Sequence, residues 1–455
     1  MTQLLDQTRR VADLALSLGA NEARVSLGRS RGVSLGWRDG RIEKLEDHTS
    51  QGLSVSLFVD GRFSSHSTGD LRPEALEPFL REAVAMTRLL EPDPARSLAD
   101  PARYAGRAAV ELDQRDPTYG EVSAEQRRDE ARALEELVRA AAADLSAARG
   151  GAPVEVVSVS AGVGDNGGEG ARVHTNGFEG ARETTSFYAS ASLTLKEADG
   201  KRPAGGGFTY RAHRGDLRPL EVVAREAAEE AFGKLDAQKL ATGKYTTLVK
   251  ADVVGRLIGA LLSPLSGAAL QQRRSLWEGK LETQIASPLL TLRDNPHVRR
   301  GLSSSLWDGD GFATAPRPII EEGVLKTFLI DDYHAKKMTL ERGEPVWATG
   351  ASLHSLEWDL GALGFDALVA DVRDGVMIDS FLGGNTNATT GELSLGCAGR
   401  RIRDGKLAEA VTEVNLSGNL KDLWRQLVAV GADPYPEGSS NNPSCVFEGV
   451  QLSGV

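Results

Sequence analysis

Seven histidines stand in the 455-residue sequence: His48, His66, His174, His213, His297, His334 and His354. No two sit at the spacing that puts imidazoles on one helical face, and none has a carboxylate neighbour in an HExxH order. His174 and His213 could meet across strands, but scattered surface histidines are the plainer reading, so no metal is expected in this chain. Ser303, Ser304, Ser305, Ser439 and Ser440 are turn-type serines, and no G-x-S-x-G elbow occurs. Trp307-Asp308-Gly309-Asp310-Gly311 alternates carboxylates, yet it lacks the spacing and terminal glutamate of a calcium loop and reads as a turn. Asn385 and Asn387 lie in NTNATTGE; they either hydrogen-bond an extended peptide or satisfy their own loop. Arg299 and Arg300 suit a carboxylate on a substrate or partner, or remain as solvated charge. Gly205-Gly206-Gly207 lacks the G-x-G-x-x-G order of a phosphate cradle.

The elements that must position these groups follow from composition and period. The length favours two domains, expected at 1–240 and 241–455. A hydrophobic content of 40% supports a packed core, and a net charge of -11 disfavours nucleic acid as a direct partner. Two cysteines far apart, Cys397 and Cys445, give no disulfide framework and fit a reducing cytosol. No apolar run approaches the roughly 20 residues of a membrane span, and the N-terminus has no signal-peptide core, so a cytoplasmic location is expected.

Leu4 to Leu18 reads as a helix stopped by Gly19. A meander of about four short antiparallel strands follows, turned at Asp39-Gly40 and Asp60-Gly61. Pro73 to Leu90 is helical, and 91–120 reads as a long surface connection. Ser123 to Ala148 is a helix with Ser123 and Gln126 placed for a capping box. Strands are expected at Pro153–Val163, Arg172–Thr175 and Glu183–Glu197, with a turn at Asn176-Gly177, then a helix from Leu217 to Phe232. The order loosely echoes the first 90 residues, so 1–90 and 123–235 are a possible internal repeat. The second half reads mostly as strands, including Val324–Leu329, Ala367–Val372, Glu392–Ala398 and Gly399–Arg403. Asn419 is placed to cap a helix from Leu420 to Val430. The class is α+β: helices and antiparallel meanders first, then a large antiparallel sheet folding toward a barrel. Val324–Leu329, with few charged guards, needs cover and points to a dimer through the C-terminal half.

The stretch ADVVGRLIGALLSPLSGAALQQRRS, 251–275, carries the apolar stripe of a buried helix over 252–274. Asp252 is placed to accept its first N–H groups, and Pro264 must kink it. From Val253 to Met338 the chain resembles the central segment of the TldD/PmbA family. Further likeness lies in RRGLSSSLWDGDGF, 299–312, and TEVNLSGNLKDLWRQLVAVGADP, 412–434. In the TldD-type subunit this helix carries HExxxH within LLHEAVGHGL. Laid on that pattern, the histidines fall on Ser263 and Ala268 and the glutamate on Pro264, so the chain looks like the PmbA (TldE) partner.

The resemblance implies a non-catalytic subunit of a heterodimeric metalloprotease. A TldD-type partner would hold zinc, the histidines and the general base, and this chain would hold no cofactor. Its substrates would be unfolded peptides or leader segments of ribosomally made peptides. The resemblance also places the 307–311 loop near the partner's active site, with a role in shaping a substrate channel. It places Cys445 close to a cysteine that completes the metal site in the TldD type, although a buried structural cysteine is the plainer reading. The alternative is a peptide-binding or regulatory homodimer without proteolysis. A third reading is a hydrolase using Cys445 or a serine.

Overall fold

Asp39 and Gly40 adopt φ of 47° and 83°, the left-handed values that a two-residue connection between twisted antiparallel strands requires. They join β1 (Glu22–Arg38) to β2 (Arg41–Val59) in a computed structural model that describes residues 2–150, 153–438 and 440–454. Ser439 therefore lies outside the described residues. Helix α1 (Thr2–Ser17) precedes this hairpin, and β3 (Arg62–Thr68) and α2 (Pro73–Thr87) follow it. The meander has three strands where about four short ones were expected. The central stretches of β1 and β2 are polar on both faces, so apolar alternation fades there. Backbone pairing nevertheless runs unbroken from Glu22↔Phe58 to Gly36↔Lys44.

A third helix, three strands and a fourth helix come next: α3 (Ala124–Arg149), β4 (Glu155–His174), β5 (Glu179–Lys196), β6 (Ala204–Arg211) and α4 (Leu220–Gly233). The two strands expected at 153–163 and 172–175 are one, because the glycine-rich GDNGGEG between them carries few side chains to show a period but pairs throughout with β5. The six strands form one sheet in the order β3-β2-β1-β4-β5-β6. Val25, Leu27 and Leu35 of β1 lie on one face and share cores with the helices. The other face is open. The capping box on α3 is formed, with Ser123 Oγ accepting from Gln126 N and Gln126 Oε1 accepting from Ser123 N. Ser123→Ala should lower stability by about 1 kcal/mol, read as a shift in urea midpoint.

The expected surface connection over 91–120 is instead a strap between the halves. Arg103 donates to Ala348 O at 2.8 Å, and Gln114 donates to Gly301 O and Ser304 O at 2.7 and 2.9 Å. Its Pro/Asp/Arg composition looks solvated, yet these polar groups find their partners on the second half.

That half begins with β7 (Gln238–Lys239), β8 (Gly243–Val249), α5 (Gly255–Leu262) and α6 (Gly267–Gln271). A four-stranded sheet, ordered β11-β10-β9-β12, combines β9 (Leu292–Asp294), β10 (Arg317–Glu321), β11 (Val324–Leu325) and β12 (Leu356–Trp358), with α7 (Asp332–Arg342) between β11 and β12. Then come α8 (Phe365–Val372), β13 (Gly375–Thr386), β14 (Glu392–Arg403), β15 (Lys406–Asn419), α9 (Leu420–Arg425), β16 (Leu427–Val430) and β17 (Cys445–Ser453). The order β17-β8-β13-β14-β15 closes on itself through β15–β17 pairing, giving a five-stranded barrel. Its interior holds Trp424, Phe447 and Leu416, in one core with Leu257 and Leu261 of α5.

Several expectations fail here for local reasons. The run 367–372 is a helix: it is too short for period to decide, and Leu368 and Val369 bury on one face against Leu248 and Met377. The C-terminal helix stops at Arg425, and Leu427–Val430 pairs with β17. Asn419 does cap it, accepting from Lys421 N. Val324–Leu329 forms only a two-residue strand; Leu325 and Leu329 are buried within this chain's own core, whereas Val324 and Phe328 are half-buried.

Candidate functional site

Residues opposite one another in antiparallel strands share a face, so the register defines the open side of the six-stranded sheet. One row is Ser67–Ser54–Ser26–Arg172, and the next is Gly52–Gly28–Gly170–Arg182. Beyond the first row, Arg24 pairs with Ser56, and Ser56 with Ser65. This face of small hydroxyls, bare backbone and arginines floors a cleft of about 910 Å³. Its far wall is the 303–309 segment with Ser352, Leu353 and His354. An adjoining space of about 470 Å³ shares Arg172, Asp308 and Ser352 and adds Arg24, Asp310 and Asp331.

The Trp307–Gly311 loop is thus a cleft wall. Trp307 stacks its indole over Gly180, where a Cβ would come within 2.8 Å. Asp308 Oδ1 accepts from Asp310 N and Phe312 N at 2.9 and 3.0 Å, which fixes the turn. Burial, reinforced by the Asp310 charge, pushes the Asp308 carboxyl up. Asp310 accepts from Asp332 N at the start of α7 and lies 3.4 Å from Arg24 on β1, bridging the halves.

The cleft leads to the broken helix. Asp252 does not cap α5; it pairs with Lys250 at 2.9 Å, and the helix starts at Gly255. A short 3-10 turn, Ser263–Leu265, holds Pro264, and α6 restarts behind Ser266, whose Oγ accepts from Ala269 N. Carbonyls freed at the break are not left unpaired: Trp277 Nε1 donates to Leu261 O at 3.0 Å, and Ser275 Oγ donates to Pro264 O at 2.6 Å. Proline has become the native shape and not a defect. Ser263, Ser266 and Ala268 line a cavity of about 440 Å³ together with Asp331, His334 and His354. His334 Nδ1 is 2.8 Å from both Asp331 oxygens, and His354 Nδ1 is 3.3 Å from Asp294 Oδ2.

The other residues singled out lie elsewhere. Cys445 is buried inside the barrel, its Sγ 3.6 Å from Pro443 O, and burial pushes its thiol far up. Cys397 is also buried and raised to about 12. A buried protonated thiol is a poor nucleophile and ligand. Arg299 and Arg300 are not free: both reach Asp113 at 2.7 Å, and Arg300 also holds Asp216, which fastens the strap. Asn387 Oδ1 accepts from Thr389 N and Thr390 N within its own loop, and Asn385 is exposed on β13. His213 reaches Asp113 O, whereas His174 meets Tyr104, so these two histidines keep separate partners. Arg24, Arg172, Arg182, His334 and His354 escape a motif search. Serine alternating with the apolar residues of β2 was the available signal for the open face.

His174 is 2% exposed. Burial first, then the charges of Arg24, Arg172 and Arg107, push it down to about 3. It is neutral in the fold, whereas the unfolded chain protonates it near pH 6.5. The unfolded state therefore binds more protons below that pH, and stability falls as pH falls. Between pH 7 and pH 5 the loss should be about 2 kcal/mol. Urea midpoints at the two pH values should differ in the wild type and differ less in His174→Gln.

An α+β chain with a polar sheet face, a closed barrel and a cavity under an interrupted helix is the architecture of a known peptidase class. Residues 242–454 match the PmbA/TldA metallopeptidase C-terminal domain, 23–87 match domain 1 and 117–235 match the central domain. The chain belongs to the PmbA/TldD metallopeptidase family. It is 28% identical to Metalloprotease PmbA of Escherichia coli O157:H7, over 97% of this chain and 94% of that one. A crystal structure from Bacteroides thetaiotaomicron, described as a candidate modulator of DNA gyrase, is 35% identical, with a TM-score of 0.91 over 99% and 98% of the two chains. TldE from Thermococcus kodakarensis shares the fold, with a TM-score of 0.82 at 18% identity over 98% and 100%.

The family implies a metal, and the residues here do not fit one. By the resemblance, Ser263, Pro264 and Ala268 stand where the family's ligand-bearing positions would fall, and none of these side chains is a usual metal ligand. Among the described residues no three His, Cys, Asp or Glu side chains converge to hold an ion.

Proposed function

We propose that this chain is the non-catalytic subunit of a two-subunit metallopeptidase acting on unfolded peptides. The observation that carries the reading is the junction at Ser263–Ala268. The stretch that falls, by the resemblance, on the HExxxH wall of TldD-type subunits lines a cavity and adjoins a large polar cleft, and its own side chains are not usual metal ligands. A TldD-type partner supplies zinc and the general base, and this chain supplies the opposite wall of a shared chamber. Bare backbone and small hydroxyls on the open sheet face suit an extended peptide, held mainly through its main chain.

The test is metal content and peptidase activity of the pure chain. Zinc well below one per chain and no cleavage of an unfolded peptide are expected. One tightly held zinc with chelator-sensitive cleavage by the chain alone would overturn the reading.

A further inference from the structure

The protein carries a net charge of -11, yet the floor of the cleft of about 910 Å³ gathers arginines. Arg172 and Arg182 stand in adjacent rows of the open sheet face, and both line the cleft. Arg172 donates to Ser26 Oγ at 3.0 Å and to the carbonyls of Asp308 and Gly309, but meets no carboxylate within ion-pair distance among the described residues. Arg182 is exposed and has neither an ion pair nor a hydrogen bond from its side chain among them. Burial first, then the charges of Arg24 and Arg182, push the Arg172 guanidinium down, against the opposing charges of Asp310 and Asp308.

The bordering carboxylates are committed elsewhere. Glu169 lies 3.7 Å from Arg29, Asp310 lies 3.4 Å from Arg24, and Asp331 faces His334. Asp308 accepts two backbone N–H groups and is pushed toward its neutral form. Gly170, between Arg182 and Gly28 in the register, leaves bare backbone beside both guanidiniums. Added Cβ atoms at Gly28 or Gly170 would meet only backbone oxygens, at 3.8 and 3.9 Å, and one at Gly52 nothing within 4 Å. An extended chain can therefore lie close to the floor with a side chain reaching either arginine.

We propose that Arg172 and Arg182 form a carboxylate-binding subsite that selects peptide segments carrying aspartate or glutamate. The proposal rests on the peptide-binding reading above and adds a substrate class to it. A guanidinium without a carboxylate partner makes charge-assisted contacts to a carboxylate, two-point where both its nitrogens are available as at Arg182, which an isosteric amide cannot match.

The experiment uses three fluorescent, unfolded peptides and the full chain, with affinity read by anisotropy at low salt. One peptide carries internal Asp and Glu and an amidated C-terminus. The second replaces those residues with Asn and Gln. The third is the second with a free C-terminal carboxylate. The first should bind about tenfold more tightly than the second. Arg182→Glu, at an exposed position, should erase that ratio without unfolding the protein. If the third peptide shows the gain and the first does not, the subsite takes a chain terminus and the side-chain proposal falls. Equal binding of all three, or an unchanged ratio in Arg182→Glu, overturns the subsite but leaves a peptide cleft. If no peptide binds, the peptide reading falls and takes the subsite with it.

Discussion

Glu437→Ala should destabilise the protein by about 3–5 kcal/mol, the largest effect expected from any single change to its ion pairs. The Glu437 side chain is fully buried. It accepts from Arg218 Nε at 2.7 Å, from Tyr210 N at 2.8 Å and from Arg211. It reaches from the segment between β16 and β17 to the end of β6 and the turn before α4, so one carboxylate neutralises two arginines of the first half. Arg218 keeps Glu226 as a partner, at 2.5 Å, but Arg211 would be left with only a neighbouring carbonyl. Removing one partner of a buried pair leaves the other charge desolvated, which is why the cost exceeds that of surface pairs. Urea unfolding followed by tryptophan fluorescence measures it. Glu437→Gln should recover part of the loss, since an amide still accepts the Tyr210 N–H. A cost below about 1 kcal/mol would show that the two halves do not depend on this contact.

Rebuilding HExxxH with Ser263→His, Pro264→Glu and Ala268→His should give a destabilised protein without peptidase activity. Ala268 borders a cavity, so a larger side chain there is not the main obstacle. The obstacle lies at Pro264, which is buried in the core with Leu261 and Leu265. A glutamate there must ionise without a partner or stay protonated, at a cost of about 3 kcal/mol or more. The break also has its own supports in Trp277 and Ser275, which hold positions 263 and 268 on separate helical pieces. Ligands work only when their supporting contacts fix the geometry. Pro264→Glu alone should account for most of the lost stability. Stoichiometric zinc and chelator-sensitive cleavage by the triple variant would show that the supporting contacts for a metal survive.

Legibility in the sequence followed the strength of local signals. The capping box at Ser123, the Asp39-Gly40 hairpin and the Asn419 cap were all readable, because each depends on a few adjacent residues. The long continuity of β4 was hidden by GDNGGEG, where pairing is carried by backbone that leaves no side-chain pattern. The run 367–372 is too short for its period to separate strand from helix. The strap over 91–120 looked solvated because the partners of Arg103, Gln114 and Asp113 lie about 190 to 245 positions away. At the site, the reading of Ser263, Pro264 and Ala268 as replaced ligand positions came from the family resemblance and not from any local pattern. The arginine floor was not, since Arg24, Arg172 and Arg182 share a face only through strand register. Arg299 and Arg300, the conspicuous pair in the sequence, are spent on holding the strap.

In the proposed function, this chain completes an enzyme whose chemistry resides in another subunit. The direct measurement is cleavage of an unfolded, acidic peptide by this chain, by a TldD-type subunit, and by the two mixed at equal concentration. Expected are no cleavage by this chain, robust chelator-sensitive cleavage by the mixture, and loss of that cleavage when the glutamate of the partner's HExxxH is replaced. Cleavage by the TldD-type subunit that is unchanged when this chain is added, with no co-sedimentation of the two, would contradict it.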